Sequence, residues 1–100
     1  MRFNSEHPAV RARLAAAYDQ CCHDAVKAES EDEKVAWIIG RLEEIVKHLD
    51  IPTSLSRDFG VPESDLDTLV QSGMQVQRLL VNNMRPVTAE DARKLYVEVL

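Results

Sequence analysis

Glycine and proline are scarce, with three and four among 100 residues. So few turn formers leave little for the tight hairpins of a sandwich or barrel. A basic excess is also lacking: 12 Lys and Arg stand against 17 Asp and Glu, a net charge of −5. That balance argues against nucleic acid as a partner, because binding phosphates needs a basic face. Neither half is a charged tail, since residues 1–50 hold 7 basic and 10 acidic side chains and residues 51–100 hold 5 and 7. No apolar run approaches the roughly 18–20 residues that span a bilayer, so no membrane is expected. The opening MRFNSEHPAVRARL has no apolar core of a signal peptide. The two cysteines, Cys21 and Cys22, are adjacent in a helical pattern and point about 100° apart, which disfavours a bridge. Free thiols and a cytoplasmic setting are the expectation. The length allows one modest core and excludes a complete two-domain enzyme with its own nucleotide-binding sheet.

What the sequence does hold is helical periodicity, with no convincing alternation of period two. Val10, Leu14, Ala17, Cys21 and Ala25 draw one stripe on a helix from about Pro8 to Ala28. Ser30 and Glu33 form an S-x-x-E capping box for the next helix. Glu31, Asp32 and Glu33 load its first turn, while Lys47 and His48 sit in its last. Val35, Ile38, Ile39, Leu42, Ile45, Val46 and Leu49 give it a wide apolar face, with Trp37 at the core or its edge. Gly40 costs that helix about 1 kcal/mol relative to Ala, for which a close helix–helix contact is the usual reason. Pro52 ends it near Asp50. The stretch IPTSLSRDFGVP predicts a short helical turn around Leu55 with Gly60 as a left-handed stop. Pro62 opens a further helix with Leu66, Leu69 and Val70 inward, and Gly73 divides it from a segment holding Met74, Val76, Leu79 and Leu80. Asn82 and Asn83 mark a loop. Thr88 and Asp91 cap a last helix presenting Ala92, Leu95, Tyr96 and Val99. The expected fold is all-α, four to five helices in a small bundle, read as a single segment over 1–100.

Direct chemistry is sparse. Cys21, Cys22, His23 and Asp24 offer metal-ligand types in a row, but consecutive helical side chains fan out and cannot close on one ion. A buried Cys21 with solvent-facing His23 and Asp24 is favoured. Glu44 and His48 stand at i, i+4, a legitimate acid–base or two-ligand spacing that more often makes a surface ion pair. Ser54, Ser56, Ser64 and Ser72 stand in no G-x-S-x-G elbow. Glycines 40, 60 and 73 are too far apart for a phosphate loop. Arg85 could clamp an anion, with a surface or interdomain contact the commoner outcome. No catalytic, cofactor-binding or metal residue is expected in this chain.

Three stretches carry a resemblance: MRFN at the start, HLDIPTSLSRDFGVPESDLDTLV in the middle and RLLVNNMRPVTAEDARKLYVEVL at the end. In this order and spacing they resemble the C-terminal end of the iron-containing alcohol dehydrogenases, with motifs like LPHVMRFN, GIPTxLxxxGVxxxDL and NNPRPxTxEDxxxIY. Two departures fall in turns: Met84 replaces the usual proline, and Asp50 the usual glycine. The resemblance implies a full-length oxidoreductase with an α/β NAD(P) domain and a helical domain supplying an Asp and three His to iron, or sometimes zinc. The metal polarises the alcohol oxygen while hydride moves to nicotinamide. Those ligands lie upstream of the segment matching Met1 to Asn4, and none of His7, His23 or His48 aligns with them. The cofactor domain is absent too.

The resemblance places Leu79 to Asn83 near the substrate side of the cleft, where some relatives carry a cysteine at about Leu79. Leu79 and Leu80 are thus the expected walls of an apolar pocket in a complete enzyme. The chain is expected to be an inactive helical fragment, its partner the missing N-terminal part of the parent or a second copy docked on an apolar helix face. The alternative is a stand-alone helical interaction or oligomerisation module.

Overall fold

Helical periodicity and capping side chains decide where this chain starts and stops its helices. In the computed structural model, residues 1–21 and 28–100 are described. They form seven α-helices, α1 (Arg2–Ser5), α2 (Pro8–Cys21), α3 (Glu31–His48), α4 (Leu55–Phe59), α5 (Leu66–Gln75), α6 (Gln77–Leu80) and α7 (Ala89–Val99), with a 3₁₀ turn at Glu63–Asp65. Among the described residues there is no strand. The all-α expectation holds, and four of the helices are long. The chain divides into two units, Met1–Ile51 and Pro52–Leu100.

In the first unit α2 packs on α3. His7 starts α2, its Nδ1 accepting from the Ala9 N–H at 3.2 Å. The expected stripe is only half right. Val10, Leu14 and Ala17 are half-buried, and Cys21 is exposed rather than buried. Cys21 is the last residue of α2. The buried residue of α2 is instead Tyr18, whose ring meets Trp37 edge-on at 5.4 Å between centroids. Such a pair contributes about 0.5–1.5 kcal/mol beyond its buried area. The Tyr18 hydroxyl accepts from the Ala28 N–H at 2.8 Å. Ala28 itself is outside any helix. Cys22, His23, Asp24 and Ala25 lie outside the described residues.

Ser30 caps α3 as expected, accepting from the Glu33 N–H at 3.1 Å. The reciprocal half of the box differs: the Glu33 carboxylate accepts from Glu29 N–H at 3.0 Å, one residue further out. Arg11 pairs with Glu31 at 3.1 Å and with Asp32, joining the first turn of α3 to α2. Val35 is the buried residue of α3. The wide apolar face is only partly covered: Ile38, Ile39 and Val46 are half-buried, and Leu42, Ile45 and Leu49 are exposed. Gly40 meets no close neighbour: a Cβ there would find nothing within 4 Å. Among the described residues the expected helix–helix approach is therefore absent, and Gly40 remains a propensity cost to α3.

The end of α3 is a Schellman motif. The Asp50 N–H donates to Lys47 O at 3.2 Å, and the Ile51 N–H to Val46 O at 3.1 Å. The motif requires a left-handed residue, and Asp50 adopts φ 52°. An L side chain is strained there, which explains why glycine suits this position.

In the second unit Leu66, Val70 and Ala92 form the core, with Met74, Val87, Tyr96 and Leu100 packed on it. Leu69 is half-buried, and Val99 is exposed rather than inward. Ser54 caps α4, and Gly60 ends it at φ 68°. Thr88 and Asp91 complete a reciprocal capping box at α7. Gly73 does not divide the helices. α5 runs through it to Gln75, and the break falls at Val76, with ψ 55°. There the Gln77 side-chain amide donates to Met74 O at 2.6 Å.

Gly73 is small for another reason. A Cβ on it would lie 2.8 Å from the Tyr96 hydroxyl oxygen. Alanine would gain about 1 kcal/mol of helix propensity, but overpacking typically costs about 1–3 kcal/mol. Gly73→Ala should therefore lower the thermal midpoint. In a Tyr96→Phe background, where the clashing oxygen is gone, the same change should raise it. A Gly73→Ala protein more stable than the parent in both backgrounds would contradict the packing account.

Candidate functional site

The residues with the most concentrated polar chemistry lie in the two motif stretches of the second unit. At Thr53–Gly60, Asp58 closes the turn ahead of α4. Its Oδ2 accepts from the Thr53 N–H at 3.0 Å and the Ser54 N–H at 2.9 Å. Arg57 Nε donates to Asp58 Oδ1 at 2.9 Å, and Nη2 donates to Oδ2 at 3.0 Å. The Arg57 side chain first, and then the two backbone donors, hold the Asp58 carboxyl well below the usual carboxylate range. The carboxylate in turn raises the Arg57 guanidinium. At the start of α7, hydrogen bonds from Thr88 likewise lower Asp91.

The second stretch is α6 and the loop after it. Leu79 and Leu80 are consecutive, so they point about 100° apart. Leu79 is 60% exposed and Leu80 half-buried. The two-asparagine loop forms as expected: Asn82 Nδ2 donates to Arg78 O at 2.9 Å, and Asn83 Nδ2 to Arg85 O at 2.5 Å. Arg85 is half-buried. Of the serines, Ser54 and Ser56 are engaged in hydrogen bonds around α4.

Glu44 does not pair with His48. Its carboxylate takes Arg41 instead, at 3.0 Å across i−3, and His48 stays exposed near the end of α3. A competing cation one turn back was the signal that spacing to His48 alone concealed. Among the described residues, no group of three or more His, Cys, Asp or Glu is placed to hold a metal ion. These residues do not fit the iron or zinc site implied by the resemblance, and no metal-dependent step is assigned to them. Among them, no helix is long and apolar enough to cross a membrane.

Against this geometry the sequence comparisons are specific. The profile of the Fe-containing alcohol dehydrogenase family, C-terminal, matches residues 1–100. The chain belongs to that family, as its C-terminal region. It is 36% identical over 67 residues to a protein named long-chain-alcohol dehydrogenase 1 from Geobacillus thermodenitrificans, covering 67% of this chain. The chain spans 17% of that relative's length. No solved structure matches.

The Asp58 cluster has a defined pH signature. Its folded-state value lies below the unfolded one, so its stabilisation is fully present above about pH 4 and is lost as pH falls. Asp58→Asn should lower the thermal midpoint at neutral pH and shrink the parent's loss of stability on acidification below about pH 4. Melting curves across that range check it, and an unchanged acid limb in the variant would count against the cluster.

Proposed function

We propose that this chain is the C-terminal helical part of an iron-dependent, NAD(P)-linked alcohol dehydrogenase-like oxidoreductase. The parent reaction is reversible hydride transfer between an alcohol and its aldehyde. The family match over residues 1–100 carries this reading. In it, the 100 residues do not turn over alone. The α/β cofactor domain and the metal ligands belong to the remainder of a full-length relative, of which the chain spans 17% in the Geobacillus thermodenitrificans case. Within a complete enzyme, Leu79 and Leu80 wall an apolar pocket on the substrate side. The open position of Leu79 on α6 supports this. The cytoplasm is the proposed compartment, supported by the free, exposed Cys21.

A second reading has its own observation. Leu42, Ile45 and Leu49 leave an apolar stripe open on α3. A stand-alone interaction or oligomerisation module would use such a stripe to bind a partner helix or a second copy. In the dehydrogenase reading the same stripe receives the N-terminal part of a full-length enzyme.

The direct test is turnover. The purified 100-residue chain, given NAD⁺ or NADP⁺, Fe²⁺ or Zn²⁺ and short or long alcohols, should show no reduction of cofactor above the no-protein rate. Sustained production of NADH or NADPH by this chain would overturn the reading.

A further inference from the structure

The Leu100 main-chain oxygen is the acceptor for two donors from the α4 region. The Ser54 hydroxyl donates to it at 2.8 Å, and the Ser56 N–H at 3.1 Å. Ser56 lies in the first turn of α4, where a backbone N–H has no partner within its own helix. Leu100 supplies that partner from 44 residues along the chain, counting from 56 to 100. The Ser54 oxygen serves twice, because it also accepts the Arg57 N–H at 3.1 Å as the α4 cap. Leu100 is itself fixed: its side chain packs on the Leu66, Val70 and Ala92 core, and its N–H donates to Tyr96 O at 2.9 Å.

The α4 segment holds its own shape by a separate set of bonds. Asp58 ties the Thr53 and Ser54 N–H groups, and Gly60 N–H returns to Ser56 O at 3.0 Å. At the far end the Ser56 hydroxyl donates to Val61 O at 2.7 Å. Apart from the Ser54 hydroxyl, which serves in both, the bonds that close the segment on itself are independent of Leu100. We infer that Leu100 is a latch: its main-chain oxygen fastens a preformed strap, Thr53–Gly60, to the end of α7. Loss of this one residue releases the strap from α7 without unwinding it. The strap carries Phe59, 65% exposed, so the latch also fixes where that aromatic side chain is presented.

Amide hydrogen exchange on the full chain tests this, with the Ser56 rate read against Val70 in α5 as an internal reference for opening of the unit. In a chain ending at Val99, the ratio of Ser56 to Val70 exchange should rise roughly tenfold. In Leu100→Ala, which weakens packing but keeps the main-chain oxygen, the ratio should stay at the parent value. A ratio unchanged in the shortened chain overturns the latch, since Ser56 then follows the stability of the unit alone. A ratio raised equally in both variants also overturns it, because packing rather than the oxygen would be the fastening.

Discussion

A thin core is the constraint on which the rest of this structure depends. Tyr18, Val35, Leu66, Val70 and Ala92 are its buried hydrophobic residues, and no side chain among the described residues falls below 2% exposure. Ordering a chain costs about 1–2 kcal/mol per residue in backbone entropy, and so small an interior offsets it poorly. Local bonds must therefore define much of the shape. Ser30, Ser54 and Thr88 each satisfy a first-turn N–H, and such caps are each worth about 1 kcal/mol. Asp50 and Gly60 supply left-handed stops. Exposed pairs such as Lys94–Glu90 at 2.8 Å add little individually.

Where the interior is thin, single close contacts decide helix geometry. The Tyr96 hydroxyl stands where a side chain at Gly73 would be, which lets α5 and α7 approach around Leu66, Val70 and Ala92. The Arg93–Asp67 pair bridges the same two helices. In the other unit, Tyr18 does comparable work from α2. Its ring meets Trp37, Lys34 Nζ lies 6.0 Å above it, and Lys34 also pairs with Asp19 at 2.7 Å. These contacts order the faces that are covered and leave the outer part of α3 uncovered.

The helices and most of their ends were legible in the sequence, because caps and stops act over three or four residues. Ser30, Ser54's turn, Gly60 and the Thr88–Asp91 box all act at that range. What required tertiary contacts was not legible. Gly73 read as a break because glycine lowers helix propensity, whereas its smallness serves Tyr96. Gly40 read as a contact and has none among the described residues. Tyr18 escaped the stripe of small apolar residues, although its place four residues after Leu14 puts it on the same face. Cys21 and Val99 shared the period but are exposed. The family was legible from three motifs in order. The candidate site, Leu79 and Leu80, rested on that resemblance and not on any local spacing.

Leu42 and Ile45 on α3, with Leu49 just past its end, form an exposed apolar face, and the central claim is that another helix or a second copy covers it. Sedimentation of the isolated chain across a wide concentration range tests that claim most directly. The account predicts an average mass that climbs above the monomer as concentration rises, and a Leu42→Glu variant in which the climb is lost. A parent chain that stays strictly monomeric at every concentration would contradict it.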